Sequence, residues 1–235
     1  MHITLFHKTN SRSQRILWLL EELNLDYELI HCDDPIPTQG FDKLPNLNST
    51  LKFPTVQICD EHSTEVISLT ETAAIADYLS HQCNSLGMAQ LSSSEMLHYY
   101  FWKNFAEATL MPDLALKQIF AQIVLRTPFP VRFISKFLKF GFDQGYLNDA
   151  LQQHLFRINA HLKDHIYLAG NHFSIADVLL WFPLLACTQA STKFAELLHI
   201  QRYLQKIQSR PAFQRALEKG QWSATVFQTY WSQAW

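Results

Sequence analysis

The chain has 235 residues, 48% of them hydrophobic, and its 19 basic and 21 acidic side chains leave a net charge of -2. That length supports two modest domains, each with its own core. The near-neutral balance excludes the basic footprint of a nucleic-acid binder. Met1-His2-Ile3-Thr4 lacks the basic and apolar regions of a secretory leader, and the longest apolar run, Val178 to Cys187, contains Pro183 and is too short to span a bilayer. Cys32, Cys59, Cys83 and Cys187 follow no CxxC or zinc spacing and read as reduced thiols, so a cytoplasmic protein is expected.

Ile3–His7 alternates as a short strand, and Ile16, Leu17, Leu19, Leu20 and Leu23 then recur at helical spacing. Tyr27–His31 reads as a second strand. The polar, proline-bearing stretch from Asp33 to Thr50 is expected to hold a short helix. Thr55–Cys59 and Glu65–Leu69 form a hairpin around Asp60-Glu61-His62-Ser63, and Ala73, Ala74, Ala76, Tyr78 and Leu79 mark a further helix. The order β-α-β-α-β-β-α predicts a mixed sheet with helices on its faces, the thioredoxin-like arrangement. A linker at 83–94 separates this domain, 1–82, from an all-helical domain at 95–235. There Leu110-Met111-Pro112-Asp113 predicts a kink in the first long helix. Leu151, Leu155, Ile158 and Leu162 share one face of the helix Asp149–Lys163, and His154, His161 and His165 read as a solvated face of it rather than as metal ligands. Ser174-Ile175-Ala176-Asp177 is a capping box that starts a helix and does no chemistry.

One stretch carries chemistry. Phe53-Pro54-Thr55 is followed by Leu69-Thr70-Glu71-Thr72 and an apolar helical run. An X-Pro bond is the only kind that readily goes cis, which would turn the backbone N–H and C=O of Phe53 towards a ligand. Glu71 can accept an ammonium group, and Thr72 with the N–H groups of a helix start can hold a carboxylate. These are the parts of a site for a small peptide. The alternative is an ordinary turn followed by a capped helix.

This pairing resembles the glutathione site of cytosolic glutathione transferases, and the resemblance covers nearly the whole chain. It includes Asn10-Ser11-Arg12-Ser13-Gln14-Arg15 leading into Ile16 to Leu23, Lys52-Phe53-Pro54, Glu71-Thr72 with Ala74-Ile75 and Tyr78-Leu79, and Ala106-Glu107 with Leu110-Met111-Pro112. The capping box and Ser209-Arg210-Pro211-Ala212-Phe213-Gln214-Arg215-Ala216-Leu217 complete it. The pattern is similar to the bacterial and fungal members whose activating residue is a serine. Two departures stand out. Asn48-Ser49-Thr50-Leu51-Lys52 lacks the family's proline and glycine, and Thr72 stands where a serine is commoner.

The resemblance implies glutathione as co-substrate, no metal, and a twofold dimer. Ser11 is the expected activating hydroxyl, with Ser13 the second candidate and Ser11-x-x-Gln14 readable as a simple helix cap. Lys52, helped by a polar residue such as Gln39, would neutralise the glycyl carboxylate, while Phe53, Pro54, Glu71 and Thr72 hold the rest of the tripeptide. Arg15 is expected to pack near the helix start. A small hydrophobic electrophile or a hydroperoxide would meet the sulfur in an apolar cleft with Tyr100, Phe105 and Met111 on its wall, joined by Phe129 and Phe133. Arg126 to Phe142, cationic and apolar with no acid before Asp143, reads as a flap over that cleft, with a membrane-surface helix the alternative. The rival readings are a non-catalytic carrier on the same fold and a thiol-disulfide reductase that would need Cys32 or another cysteine beside the ligand. The aromatic tail from Gln221, with Trp222, Phe227, Tyr230, Trp231 and Trp235, is expected to pack back onto the helices, cover the cleft or join an interface.

Overall fold

A computed structural model describes residues 1–33, 52–59, 66–87, 89, 91–191, 194 and 196–235. The expected helix between Asp33 and Thr50, the altered loop at 48–51, Gln39 and the hairpin turn at 60–63 lie outside the described residues. The chain divides into two units, Met1–Leu91 with Ile207–Ser223, and Ser92–Lys206 with Ala224–Trp235.

The first unit is built on a four-stranded sheet of order β2-β1-β3-β4. Strand β1 (His2–His7) lies parallel to β2 (Tyr27–His31) and antiparallel to β3 (Thr55–Cys59), which pairs antiparallel with β4 (Val66–Thr70). Central β1 is buried on both faces from Ile3 to His7, the pattern of a strand in the interior of a covered sheet. Helix α1 (Ser13–Glu22) is buried continuously from Ser13 to Glu21, its polar residues included. Helix α2 (Thr72–Cys83) packs on α1 and ends at Asn84 in the left-handed region, a common helix stop.

The second unit is helical. Helices α3 (Ser93–Phe105) and α4 (Met111–Arg126) join through a five-residue π-turn, Ala106–Leu110, in which the Met111 N–H donates to Ala106 O. The helix therefore runs unbroken for 34 residues, and the wide turn takes up Pro112 where the sequence predicts a kink. Length and composition alone make Ser93–Arg126 long and apolar enough to cross a bilayer. Tyr99, Trp102, Phe105, Leu110 and Leu114 are buried against neighbouring helices of this unit, the packing of a core helix.

Helix α5 (Arg132–Phe142) and a second π-turn, Asp143–Leu147, lead into α6 (Asn148–Asp164). The three histidines expected on a solvated face of α6 are instead engaged. His154 Nε2 lies 3.0 Å from Asp113 Oδ2, His161 Nε2 lies 2.9 Å from the Leu168 carbonyl, and His165 stacks on His161 with centroids 4.2 Å apart. Burial lowers His161 to about 4. Residues from the loop after α6 close over that side of the helix, which its own periodicity cannot reveal.

Helix α7 (Ile175–Ala190) is the core of the unit, buried without interruption from Ile175 to Cys187. Asp177 anchors its start. Its carboxylate accepts from the Leu168 N–H at 2.9 Å, the Ser174 N–H at 2.8 Å, the Ser174 hydroxyl at 3.1 Å and the Tyr203 hydroxyl at 2.9 Å. Helix α8 (Leu198–Gln208) supplies Tyr203. Helix α9 (Pro211–Lys219) belongs to the first unit, whereas α10 (Ala224–Ser232) returns to the second and packs Phe227 and Trp231 on Phe182.

Helix α9 explains why α1 is buried all round. Phe213 meets Trp18 edge-on at 4.9 Å, and Gln14 Nε2 donates to Ala216 O at 2.6 Å. Arg210 grips Glu22 through both nitrogens at 2.6 and 2.7 Å. Burial would raise Glu21, but bonds from Lys219, Tyr27 and Arg215 hold it down at about 2. The approach is close at Gly220, where a Cβ would sit 2.2 Å from Gln14 Oε1, 2.9 Å from Leu17 Cδ2 and 3.0 Å from the Ala216 carbonyl.

Candidate functional site

Sheet register brings the chemistry to one end of the first unit. Thr55, the first residue of β3, pairs with Phe6 on one side and Thr70 on the other. The segment after β1, the Phe53-Pro54 turn and the start of α2 therefore emerge together. The Phe53–Pro54 peptide is cis. Phe53 and Ile30 pack against the buried pair Phe6 and Cys32, and Thr55 Oγ1 donates to Lys52 O at 2.9 Å. Lys52 is exposed.

Glu71 leaves β4 with φ 69° and ψ 117° and is the residue preceding α2. A non-glycine residue in such a region costs on the order of 1–3 kcal/mol, and the fixed ends of β4 and α2 on either side hold it there. Glu71 is exposed and has no ion-pair partner among the described residues, whereas Thr72 is 5% exposed. The Arg15 guanidinium, fully buried in α1, donates through Nη2 to Thr72 Oγ1 at 3.3 Å. A buried cation thus backs the start of α2, where free N–H groups also favour an anion.

Ser11 lies in the short segment between β1 and α1. The segment is tied down on two sides: Thr9 donates to Asp33 from its N–H at 2.8 Å and its hydroxyl at 2.6 Å, and Asn10 Oδ1 accepts from the Ser223 N–H at 2.8 Å. Asn10 takes φ 55°. Ser11 Oγ accepts from the Ser13 N–H at 3.2 Å and lies 2.9 Å from Ser13 Oγ. The N-terminal turn closes through the Ser11 carbonyl, which accepts from the Gln14 N–H at 3.1 Å, so the side chain is not occupied in a Ser11-x-x-Gln14 cap.

Behind Ser11 lies a network with no signature in the sequence. Ser13 Oγ is 2.9 Å from His7 Nδ1, and His7 Nε2 is 3.1 Å from the Gly220 carbonyl. A carbonyl only accepts, so Nε2 carries the ring proton and Nδ1 is bare. The one proton of Ser13 then goes either to His7 Nδ1 or to the Lys8 carbonyl 3.1 Å away, both of which only accept. Its lone pairs accept from the Lys8 N–H at 3.1 Å and face the Ser11 hydroxyl. His7 is fully buried, and burial, reinforced by the nearby His31, lowers it to about 4 against the pull of the Gly220 bond.

The sign of the pH effect follows. The unfolded chain takes up this proton near pH 6.5 and the folded chain near 4, so His7 opposes folding progressively as pH falls through that window. The expected loss is about 1.4 kcal/mol per pH unit from this one group. Urea midpoints at pH 7 and 5 measure it, and His7→Gln should flatten the slope. An unchanged slope in that variant would remove His7 from the account.

The apolar candidates belong to the second unit. Tyr100 is 46% exposed near Leu97 at 72%, Phe105 is 6% exposed and packs on Phe101, Trp102 and His154, and Met111 is half-buried. Phe129 and Phe133 are 88% and 69% exposed. A separate cavity of about 440 Å³ in this unit is lined by Lys117, Lys139, Asp143, Asn148 and Trp235 among others. Lys117, 1% exposed, pairs with Asp143 at 3.1 Å and donates to Asn148 Oδ1 at 2.8 Å. Cys32 is 5% exposed, and burial pushes its thiol up to about 11, the opposite of what a reactive cysteine needs.

Comparison with known proteins agrees with the architecture. Residues 11–82 match the family model for the glutathione S-transferase N-terminal domain, and residues 142–211 match that for the C-terminal domain. Glutathione S-transferase 3 of Schizosaccharomyces pombe is 32% identical over 220 residues, covering 92% of this chain and 87% of the relative. The disulfide-bond oxidoreductase YfcG of Escherichia coli is 25% identical over 224 residues, covering 93% and 96%. A crystal structure of a glutathione transferase family member from Pseudomonas fluorescens, with two glutathione bound, superimposes with a TM-score of 0.70 at 20% identity, over 92% of each chain. A thioredoxin-like sheet followed by a helical unit, with both family models matched in order, establishes that this chain belongs to the glutathione S-transferase family.

Proposed function

We propose that the chain is a serine-type glutathione transferase in which Ser11 stabilises the thiolate of bound glutathione. The observation that carries the reading is the convergence, at one end of the sheet, of the segment after β1 that bears Ser11, the cis-Pro54 turn and the Glu71-Thr72 helix start. The backbone of Phe53 pairs with the cysteinyl part of the tripeptide. Glu71 takes the γ-glutamyl ammonium, Thr72 and the α2 N-terminus take its carboxylate, and Lys52 faces the glycyl carboxylate.

A free thiol has a pKa of about 8.5, so little of it is ionised at pH 7. A hydrogen bond to a charged acceptor contributes roughly 1.5–3 kcal/mol, and each ~1.4 kcal/mol moves a pKa by one unit. The Ser11 proton, assisted by the start of α1, is enough to populate the thiolate. Its lone pair then attacks an electrophilic carbon, forming the C–S bond as the leaving group departs with its electron pair. On a hydroperoxide, attack on the terminal oxygen breaks the O–O bond, leaving a sulfenic acid on the glutathione and an alkoxide that takes a proton from water to become the alcohol. The thiol of a second glutathione then attacks the sulfenic sulfur, forming the disulfide and releasing water. Tyr100, Phe105 and Met111 are the proposed wall for the hydrophobic co-substrate, the protein acting in the cytoplasm as a twofold dimer.

A carrier without chemistry shares the binding residues and differs only at the sulfur. The YfcG likeness invites a disulfide-bond oxidoreductase, and a version of it that works through Cys32 is disfavoured by the burial and raised pKa of that thiol. Titrating wild-type protein with glutathione and following thiolate absorbance against pH separates them. The expected result is saturable binding with the bound thiol ionising one to two units below the free thiol, roughly between 6.5 and 7.5. Binding with an unshifted thiol makes the chain a carrier, and no binding refutes the site altogether.

A further inference from the structure

Helix α5 is inside-out. The side chains it turns towards its own unit are mostly polar: Ser135 is buried and Lys139 pairs with Asp143, the buried residue after the helix that also holds Lys117, while Phe142 at the end packs on Phe120 at 4.6 Å. The side chains it turns to solvent are large and apolar, with Phe133 69%, Ile134 50%, Phe137 75%, Leu138 60% and Phe140 60% exposed. Phe129 in the preceding turn is 88% exposed. Isolated exposed apolar residues are ordinary, but a whole helix face of them marks a surface that something covers.

We propose that this face is a docking surface for an anionic phospholipid bilayer, with α5 lying in the plane of the interface. Charge selects the occupant. Arg126 and Lys136 are exposed and have no partner among the described residues, and no acidic residue occurs from 126 to 142. Asp143, the first acid after the helix, is committed to Lys117 and Lys139. A second copy docking the same face about a twofold axis would add cations to cations in an interface without a counter-charge. Lipid phosphates supply that counter-charge at the depth where the stems of Arg and Lys reach out from an apolar layer. The helix is about 16 Å long at 1.5 Å per residue. It can embed its phenylalanines while the rest of the unit stays outside, so the contact is peripheral and needs no spanning segment.

Flotation of the full chain with vesicles tests this. Wild type should float with phosphatidylcholine vesicles containing phosphatidylglycerol and much less with phosphatidylcholine alone, and added salt should release it. Arg126→Gln and Lys136→Gln should each weaken binding about fivefold, and Phe133→Ser with Phe137→Ser should weaken it by about a hundredfold. All four positions are exposed, so far-UV circular dichroism should be unchanged. Equal flotation with neutral vesicles, or full binding by the double Phe variant, overturns the proposal. So does a failure to float by a wild-type dimer that Phe137→Ser dissociates, which would assign the face to a second copy.

Discussion

Asp177→Ala is expected to lower the unfolding free energy by about 4 kcal/mol, the range for removing one partner from a buried charged network. Asp177 is completely buried, and burial pushes its carboxyl up to about 6 against the opposing pull of the bonds from Leu168, Ser174 and Tyr203. The alanine variant leaves the N–H groups of Leu168 and Ser174 and the hydroxyls of Ser174 and Tyr203 without their acceptor. It also unfastens the start of α7, whose buried face is the core of the second unit. Asp177→Asn keeps an acceptor on one oxygen position and turns an NH2 towards donors on the other, so about half the loss is expected. Ser174→Ala, which removes only the hydroxyl, should cost about 1 kcal/mol. Urea unfolding at pH 7 gives the three values. A cost below that of Ser174→Ala for the Asp177 variant would show that the network contributes little.

Ser11→Ala is expected to reduce kcat with a reactive aryl halide by about 100-fold, the loss of a hydrogen bond to a charged sulfur, with glutathione affinity little changed. The bound thiol should return towards the free value. Ser13→Ala should behave differently. The proton of Ser13 is taken by His7 Nδ1 or by the Lys8 carbonyl, so this hydroxyl has none to give a ligand, and its lone pair competes for the Ser11 proton. The variant should therefore keep the depressed thiol pKa and lose activity by no more than about tenfold, through looser placement of Ser11. If Ser13→Ala abolishes the depression and Ser11→Ala does not, the roles are reversed and the tautomer assigned to His7 is wrong.

The fold was legible because its signals are local. Alternation in Ile3–His7, helical spacing from Ile16 to Leu23 and the capping box at Ser174 depend on neighbours within a few residues, and β1, α1 and α7 follow them. The residue pairs of the candidate site were legible for the same reason, since Phe53-Pro54 and Glu71-Thr72 are each contiguous. What the sequence by itself determined is thus the order of the elements and the chemical groups available at their ends. Tertiary structure decided the rest. Ile207–Ser223 joins the first unit because Arg210, Arg215 and Lys219 find Glu21 and Glu22 nearly two hundred positions away. His7 becomes a fixed neutral acceptor because Gly220 arrives behind it. Helix α5 shows its apolar face outward because Lys117 on α4 and Asp143 claim its polar one. Each outcome depends on which distant group removes a side chain from water, and periodicity along the chain does not carry that information.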